Sequence, residues 1–110
     1  MDESRETLTD KPYDPSLPRE DRPVYRFKSG ATYTGQWKGG FRDGVGTQVW
    51  PDGAKYEGEW VDNRAEGKGK FIHVDGDEYE GWWKKDKANG RGEYRHNNGA
   101  TYYGEWKDDL

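Results

Sequence analysis

The chain has 110 residues, 29% hydrophobic and 36% charged, with a formal net charge of −4, a balance that ordinarily leaves too little apolar surface to order a chain. Six Trp, eight Tyr and three Phe reverse that expectation, because each ring can bury about 150–250 Å² and hold together a thin structure that scarce aliphatics could not. The absence of cysteine excludes disulfides, thiolate metal sites and cysteine nucleophiles, and no apolar run approaches the roughly 20 residues of a membrane-spanning helix.

Residues 1–22 hold seven acids, four bases and no aromatic except Tyr13, and they read as an extended, irregular tail. Pro12, Pro15 and Pro18 recur with the period of a polyproline II helix, so the tail reads as a stiff, solvated linker, with a docking peptide as the other reading. A partner would be needed to order such a polar terminus. The opening MDESRETLTD has neither the basic start nor the apolar stretch of a signal peptide, which makes the cytoplasm the expected location. From residue 23 onward 15 acids meet 14 bases, and this near-neutrality gives no electrostatic case for nucleic acid.

Residues 23–29 read as a half repeat, its strand carrying Tyr25 and Phe27. Gly30, Gly53, Gly76 and Gly99 then open units 30–52, 53–75, 76–98 and 99–110 at a constant interval of 23 residues, spelled GATYTGQW, GAKYEGEW, GDEYEGWW and GATYYGEW. With columns 1–23 counted from each of these glycines, columns 4, 6 and 8 (Tyr, Gly, Trp) alternate as in one strand, and columns 15, 17, 19 and 21 alternate as in a second. Pro51-Asp52-Gly53, Asp75-Gly76 and Asn97-Asn98-Gly99 supply turn chemistry, so each unit reads as a β-hairpin in a tandem array over 23–110. Pairing column 8 with column 17 keeps the aromatic faces aligned, which places Gly58 between Phe71 and Gln48 and Trp60 between Gly69 and Gly46. Rings then fold over the bare backbone of neighbouring glycines. A single layer is expected to leave part of that ring stack accessible as a groove for a helix or an extended peptide.

The tandem Gly-x-x-Tyr-x-Gly-x-Trp-(x)6-Gly-x-Gly pattern resembles MORN repeats, the membrane occupation and recognition nexus family, over residues 23–110. Gln48 replaces the usual aromatic at column 19, Asn89 and Asn97 vary turn positions, and the fourth unit stops before its glycine pair. The resemblance implies an all-β, elongated, twisted, single-layer antiparallel sheet. It implies use in protein binding, membrane apposition or cytoskeletal scaffolding, as in ciliary radial spoke heads, protozoan cytoskeletal structures and junctophilins, or beside the catalytic domains of phosphoinositide kinases and methyltransferases. The expectation is a non-enzymatic scaffold in the cytoplasm that binds other proteins of a cytoskeletal or ciliary assembly. The alternatives are a peripheral module on anionic membranes and an accessory region of a larger enzyme.

Tyr33, Trp37, Tyr56, Trp60, Tyr79, Trp83, Tyr102 and Trp106 read as packing. Trp82 differs, because column 7 elsewhere holds Gln36, Glu59 and Glu105 and should point away from the rings. With Ile72, Val49, Tyr103 and Trp50 it forms the candidate partner-binding set. Its other reading is a local cation–π cover over Lys70, its expected cross-strand neighbour. Arg64, Lys68, Lys70, Lys84, Lys85, Lys87, Arg91 and Arg95 form a candidate patch for anionic lipid or an acidic partner. Glu59 opposite Lys70 and Glu80 opposite Arg95 would interleave its charge.

His73 and His96 share column 21, about 9–10 Å apart across an intervening strand, too far to chelate a metal by themselves. Ser4, Ser16 and Ser29 sit in no nucleophile motif, and the Gly-x-Gly pairs lack the helix N-terminus that cradles phosphate. No catalytic residue, cofactor or metal is expected. Open edges at both ends of the sheet favour end-to-end association.

Overall fold

The computed structural model describes Thr9 and residues 11–109; residues 1–8 and 10 of the expected tail, and Leu110, lie outside it. The described chain is all-β. Its eight strands are β1 (Glu20–Arg26), β2 (Thr32–Lys38), β3 (Phe41–Val49), β4 (Lys55–Val61), β5 (Arg64–Ile72), β6 (Glu78–Lys84), β7 (Lys87–Arg95) and β8 (Thr101–Asp109). They form one sheet in sequence order, with every neighbouring pair antiparallel. The molecule measures 42 × 27 × 20 Å.

Two kinds of turn alternate, each set by local sequence. Inside the second and third units, two-residue loops join strands at Val61↔Arg64 and Lys84↔Lys87, with positive φ at Asp62, Asn63, Lys85 and Asp86. That handedness matches the twist of the flanking strands. Between units, the Trp50 N–H donates to the Ala54 carbonyl at 2.9 Å and the Asp52 carboxylate accepts the Ala54 N–H at 2.9 Å. Asp75 and Asn98 repeat this side-chain brace, so the expected turn residues are the observed ones.

The register differs from the expected one by two residues. Tyr56 pairs with Phe71 and Gly58 with Gly69, so column 4 faces 19 and column 6 faces 17. Trp60 faces Ala65 in its own unit and Gly44 in the preceding one. Gly58 therefore lies between Gly69 and Gly46, and a ladder of paired glycines crosses β2 to β8 through Gly35, Gly46, Gly58, Gly69, Gly81, Gly92 and Gly104. The reason is a bulge in each hairpin: Glu66, Gly67 and Lys68 oppose Glu59 alone, between the Gly58–Gly69 and Trp60–Ala65 pairs. The same slide replaces two expected charge pairs, with Glu57 opposite Lys70 and Glu78 opposite Arg95.

Rings still cover glycines, but along the diagonal. A Cβ on Gly69 would fall inside the Tyr56 hydroxyl and ring, and Gly46 and Gly92 stand in the same relation to Tyr33 and Tyr79. Each of these tyrosines donates its hydroxyl to the column 7 carbonyl of its own strand, at 2.8 Å to Gln36, 3.0 Å to Glu59 and 3.2 Å to Trp82. Each following tryptophan donates its indole N–H to a glycine carbonyl one unit back: Trp60 to Gly46, Trp83 to Gly69 and Trp106 to Gly92. The rings then meet edge to face in one unbroken chain, Trp37–Tyr33–Trp60–Tyr56–Trp83–Tyr79–Trp106, with centroids 5.0–5.6 Å apart. Edge-to-face contacts of this kind add about 0.5–1.5 kcal/mol each beyond area burial.

This chain buries itself. Tyr33, Tyr56 and Tyr79 are 0% exposed, and burial pushes their hydroxyls above the usual tyrosine range. The expected open aromatic groove is therefore closed in the central units, since the rings lie over the glycine ladder and against one another. Large rings stay in solvent on this side at the two ends of the array, with Tyr25 38% and Tyr102 59% exposed.

Ahead of the first unit β1 pairs with β2, setting Tyr25 opposite Tyr33, and Phe27 just after β1 is buried. This strand begins at Glu20, inside the expected tail, and continues past a bulge around Pro23, a position where proline is tolerated. The tail segment before it is held by the chain's own first hairpin through Tyr13, Pro15 and Arg19.

Candidate functional site

Three cross-sheet rows of side chains lie on the face opposite the rings, and the pairing fixes their membership. One row runs Val45, Glu59, Lys68, Trp82, Arg91, Glu105; the next runs Glu57, Lys70, Glu80, Glu93, Tyr103; the third contains Val49, Lys55, Ile72, Glu78, Arg95. Trp82 is 45% exposed and Tyr103 is 75% exposed, and together they line a depression of about 560 Å³ whose floor is Gly69, Gly81 and Gly92.

The backbone explains why Trp82 is exceptional. At each bulge the column 15 glycine adopts positive φ, 111° at Gly44, 89° at Gly67 and 98° at Gly90, with the column 7 side chain lying over it. In the first two units that side chain braces the bulge. The Gln36 Oε1 accepts the Val45 N–H at 2.9 Å, and the Glu59 carboxylate accepts the Lys68 N–H at 2.7 Å. Trp82 occupies the same place over Gly90 and has no acceptor to offer Arg91. Its ring instead takes the Lys68 ammonium, 5.7 Å from the ring centroid. The expected cation–π contact thus exists, with Lys68 rather than Lys70 as the slid register requires.

Charge around the depression is unevenly spent. Arg95 bridges Glu78 at 3.1 Å, Glu80 at 3.0 Å and Glu93 at 3.2 Å, and Lys70 adds a second contact to Glu78 at 3.3 Å. Hydrogen bonding from Arg95 holds the Glu78 carboxyl below its usual range, and the three carboxylates, Glu80 foremost, hold Arg95 further above its own. Among the described residues, Lys68 and Arg91 enter no salt bridge. Two exposed rings and two cations outside any salt bridge, Lys68 and Arg91, therefore border a trough that Lys70, Glu57, Glu80 and Glu93 also line.

The other candidates are distributed elsewhere. Val49 and Ile72 share the face of Trp82 but stand two pleats away, about 13 Å along the strand, beyond the row of Lys70, Glu80 and Glu93. Trp50 is corrected: it is 7% exposed, because column 21 points to the ring side, where it packs on Phe71 at 5.6 Å. The eight cations do not form one patch. Lys70 and Arg95 are committed to ion pairs, Lys68 and Arg91 flank Trp82, Arg64 ends one hairpin turn, and Lys84, Lys85 and Lys87 gather at another. His73 and His96 sit in the ring stack against Phe71 and Tyr94, as their column implies. Among the described residues no His, Cys, Asp or Glu group could hold a metal ion, and no helix is long and apolar enough to cross a membrane.

Two polar clusters escaped the sequence reading, although comparing columns would have found them. Asp77 stands where Ala31, Ala54 and Ala100 stand in other units. Its carboxylate accepts the Asn97 N–H at 2.8 Å and the Tyr94 hydroxyl at 3.0 Å, with His96 Nδ1 3.2 Å away. The Asn97 N–H is the main cause holding this carboxyl below its usual range. Arg42 stands where Ala65 and Ala88 stand, is 2% exposed, and donates Nη1 to Gln48 at 2.7 Å and Nε to Asn63 at 3.1 Å.

No curated protein matches this chain. The family model of the MORN repeat matches three consecutive segments, 33–55, 56–78 and 79–101, each starting at a column 4 tyrosine. MORN repeats are generally protein- or membrane-interaction modules, and the repeat itself is non-enzymatic. The matched segments cover more than half of the chain and coincide with the observed hairpin period, so the chain belongs to the MORN repeat family.

Proposed function

We propose that this array is a non-enzymatic protein-interaction module, that it serves a cytoskeletal or ciliary assembly, and that its partner engages the trough bordered by Trp82 and Tyr103. One observation carries the reading: Trp82 replaces a side chain that braces the backbone bulge in the two preceding units, and the ring it supplies is 45% exposed. The fold gains no hydrogen bond from that exchange, whereas an exposed tryptophan beside cations that enter no salt bridge is recognition chemistry. A second reading, contact with an anionic membrane, draws on Lys84 standing directly opposite Lys87 with Lys85 and Asp86 between them in the turn. Like charges facing each other across a ladder oppose folding, which favours a turn meant to meet negative charge.

Trp82→Gln separates function from folding, because glutamine is the bracing residue of the first unit. The variant is expected to keep the wild-type melting temperature or exceed it, while crosslinking mass spectrometry on native complexes loses the protein neighbours of the trough. For an isolated partner the loss is expected at about 2 kcal/mol, or about 30-fold in Kd. Unchanged neighbours in Trp82→Gln would sink the proposal. Loss of vesicle binding in Lys84→Glu/Lys85→Glu, with protein neighbours absent from both forms, would favour the membrane reading instead.

A further inference from the structure

The contacts of residues 11–19 converge on one carboxylate. Asp43 is 0% exposed; its Oδ2 accepts the Tyr13 hydroxyl at 2.5 Å and its Oδ1 accepts Arg19 Nε at 2.9 Å. The Asp62 N–H also reaches Oδ2 at 3.3 Å, and Lys38 Nζ, 3.9 Å from Oδ1, donates to the Pro15 carbonyl at 2.8 Å. The Tyr13 ring stands edge-on to Phe41 at 5.4 Å, and Leu17 lies over Gly39. This seat belongs to the first hairpin alone. Where it has Gly39-Gly40, Phe41 and Asp43, the second unit has Asp62-Asn63, Arg64 and Glu66, and the third has Lys85-Asp86, Lys87 and Asn89.

We infer that residues 11–19 form a latch over the first hairpin turn, and that Tyr13 is a phosphorylation site whose modification opens it. A tyrosine kinase would transfer the terminal phosphoryl group of a nucleoside triphosphate. The phenol oxygen forms the new O–P bond, the nucleoside diphosphate leaves, and the phenol proton passes to the kinase's base. The product has lost the donor that Asp43 accepts and carries up to two negative charges at the position of that donor. A phosphorus atom has no room within a 2.5 Å oxygen–oxygen contact to a buried carboxylate, so the ring must withdraw from Phe41. Arg19 and Lys38 can follow the phosphate outward, but doing so strips Asp43 of its cations. Burial and the Asp43 hydrogen bond push the Tyr13 hydroxyl up to about 12, so at ordinary pH the phenol keeps the proton that Asp43 accepts. The flanking Lys11, Pro12, Asp14, Pro15 and Ser16 are exposed, and the segment forms neither helix nor strand, a form in which a kinase can bind it.

The test compares the full chain with Tyr13 unmodified and with phosphotyrosine installed there by semisynthesis. Phosphorylation is expected to accelerate tryptic cleavage after Arg19 at least tenfold and to remove hydrogen-exchange protection from residues 38–43. The near-ultraviolet signal of the ring chain should stay unchanged, showing that the opening is local. In an Asp43→Asn background the phosphate should accelerate cleavage less, because the facing charge is gone. Equal cleavage and protection in both forms, or tighter protection after phosphorylation, would overturn the latch. Treating the chain with a broad-specificity tyrosine kinase and Mg-ATP should modify Tyr13 within the time that modifies exposed Tyr103. Tyr103 modified with Tyr13 untouched would overturn its assignment as a modification site.

Discussion

Gly69→Ala is expected to destabilise the array by about 3 kcal/mol or more, which for a domain of this size lowers the melting midpoint by about 12–24 °C. The added methyl would occupy the space of the Tyr56 hydroxyl and ring. Tyr56 has no easy retreat, because its hydroxyl is bonded to the Glu59 carbonyl at 3.0 Å and its ring is clamped between Trp60 and Trp83 at 5.1 and 5.3 Å. Moving it breaks a buried hydrogen bond and two edge-to-face contacts together. Gly104→Ala provides the control, since nothing lies within 4 Å of a Cβ built there, and its effect should stay within about 0.5 kcal/mol. Differential scanning calorimetry on the two variants decides the matter. Equal melting temperatures would mean that the diagonal tiling of tyrosine on glycine does not hold the sheet.

The second large effect concerns the missing ring at Gln48. In the second unit the Phe71 ring lies between Trp50 and Trp83, at 5.6 and 6.1 Å. In the third, Tyr94 lies between His73 and Trp106, at 6.1 and 6.0 Å. The equivalent slot in the first unit holds the Arg42 guanidinium, 5.1 Å from Phe27 and 4.9 Å from Trp60. A flat cation has replaced a flat ring, and Gln48 has become its acceptor. Arg42→Ala should therefore cost about 3 kcal/mol by opening a cavity and leaving buried acceptors unpaired. Gln48→Phe alone should cost about 1–3 kcal/mol by forcing a ring against the guanidinium. The double variant recreates the alanine and phenylalanine of the second unit, Ala65 and Phe71, and should recover about 2 kcal/mol relative to the sum of the singles. Urea unfolding of the four proteins measures that coupling, and strict additivity would show that the two departures are unrelated.

The hairpins and their turns were legible because alternation and turn residues are local signals. The register was not, for a definite reason: sliding a strand by two residues keeps every side chain on its own face. A pairing of Trp60 with Gly69 and a pairing of Gly58 with Gly69 satisfy the same alternation. The bulge at Glu59 and the Tyr56 hydroxyl choose between them, and neither is written in the hydrophobic pattern. At the trough, Trp82 stood out as a break in its column, and Tyr103 was assigned to the same face. Ile72 and Val49 were assigned by face alone, which cannot report that the Lys70 row separates them from Trp82. Trp50 was misplaced against the face logic itself, since its column belongs with the rings.

The strands run across the molecule, so its 42 Å long axis is spanned by hydrogen bonds and ring contacts rather than by continuous chain. Tension along that axis loads the strand pairs in series, and the peeling of an outer strand breaks its ladder bonds one after another rather than all together. The edge-to-face ring chain lies along the same axis and links each strand pair to the next. Under load such an array would lengthen in hairpin-sized steps, behaving as an extensible tether between whatever its two ends hold.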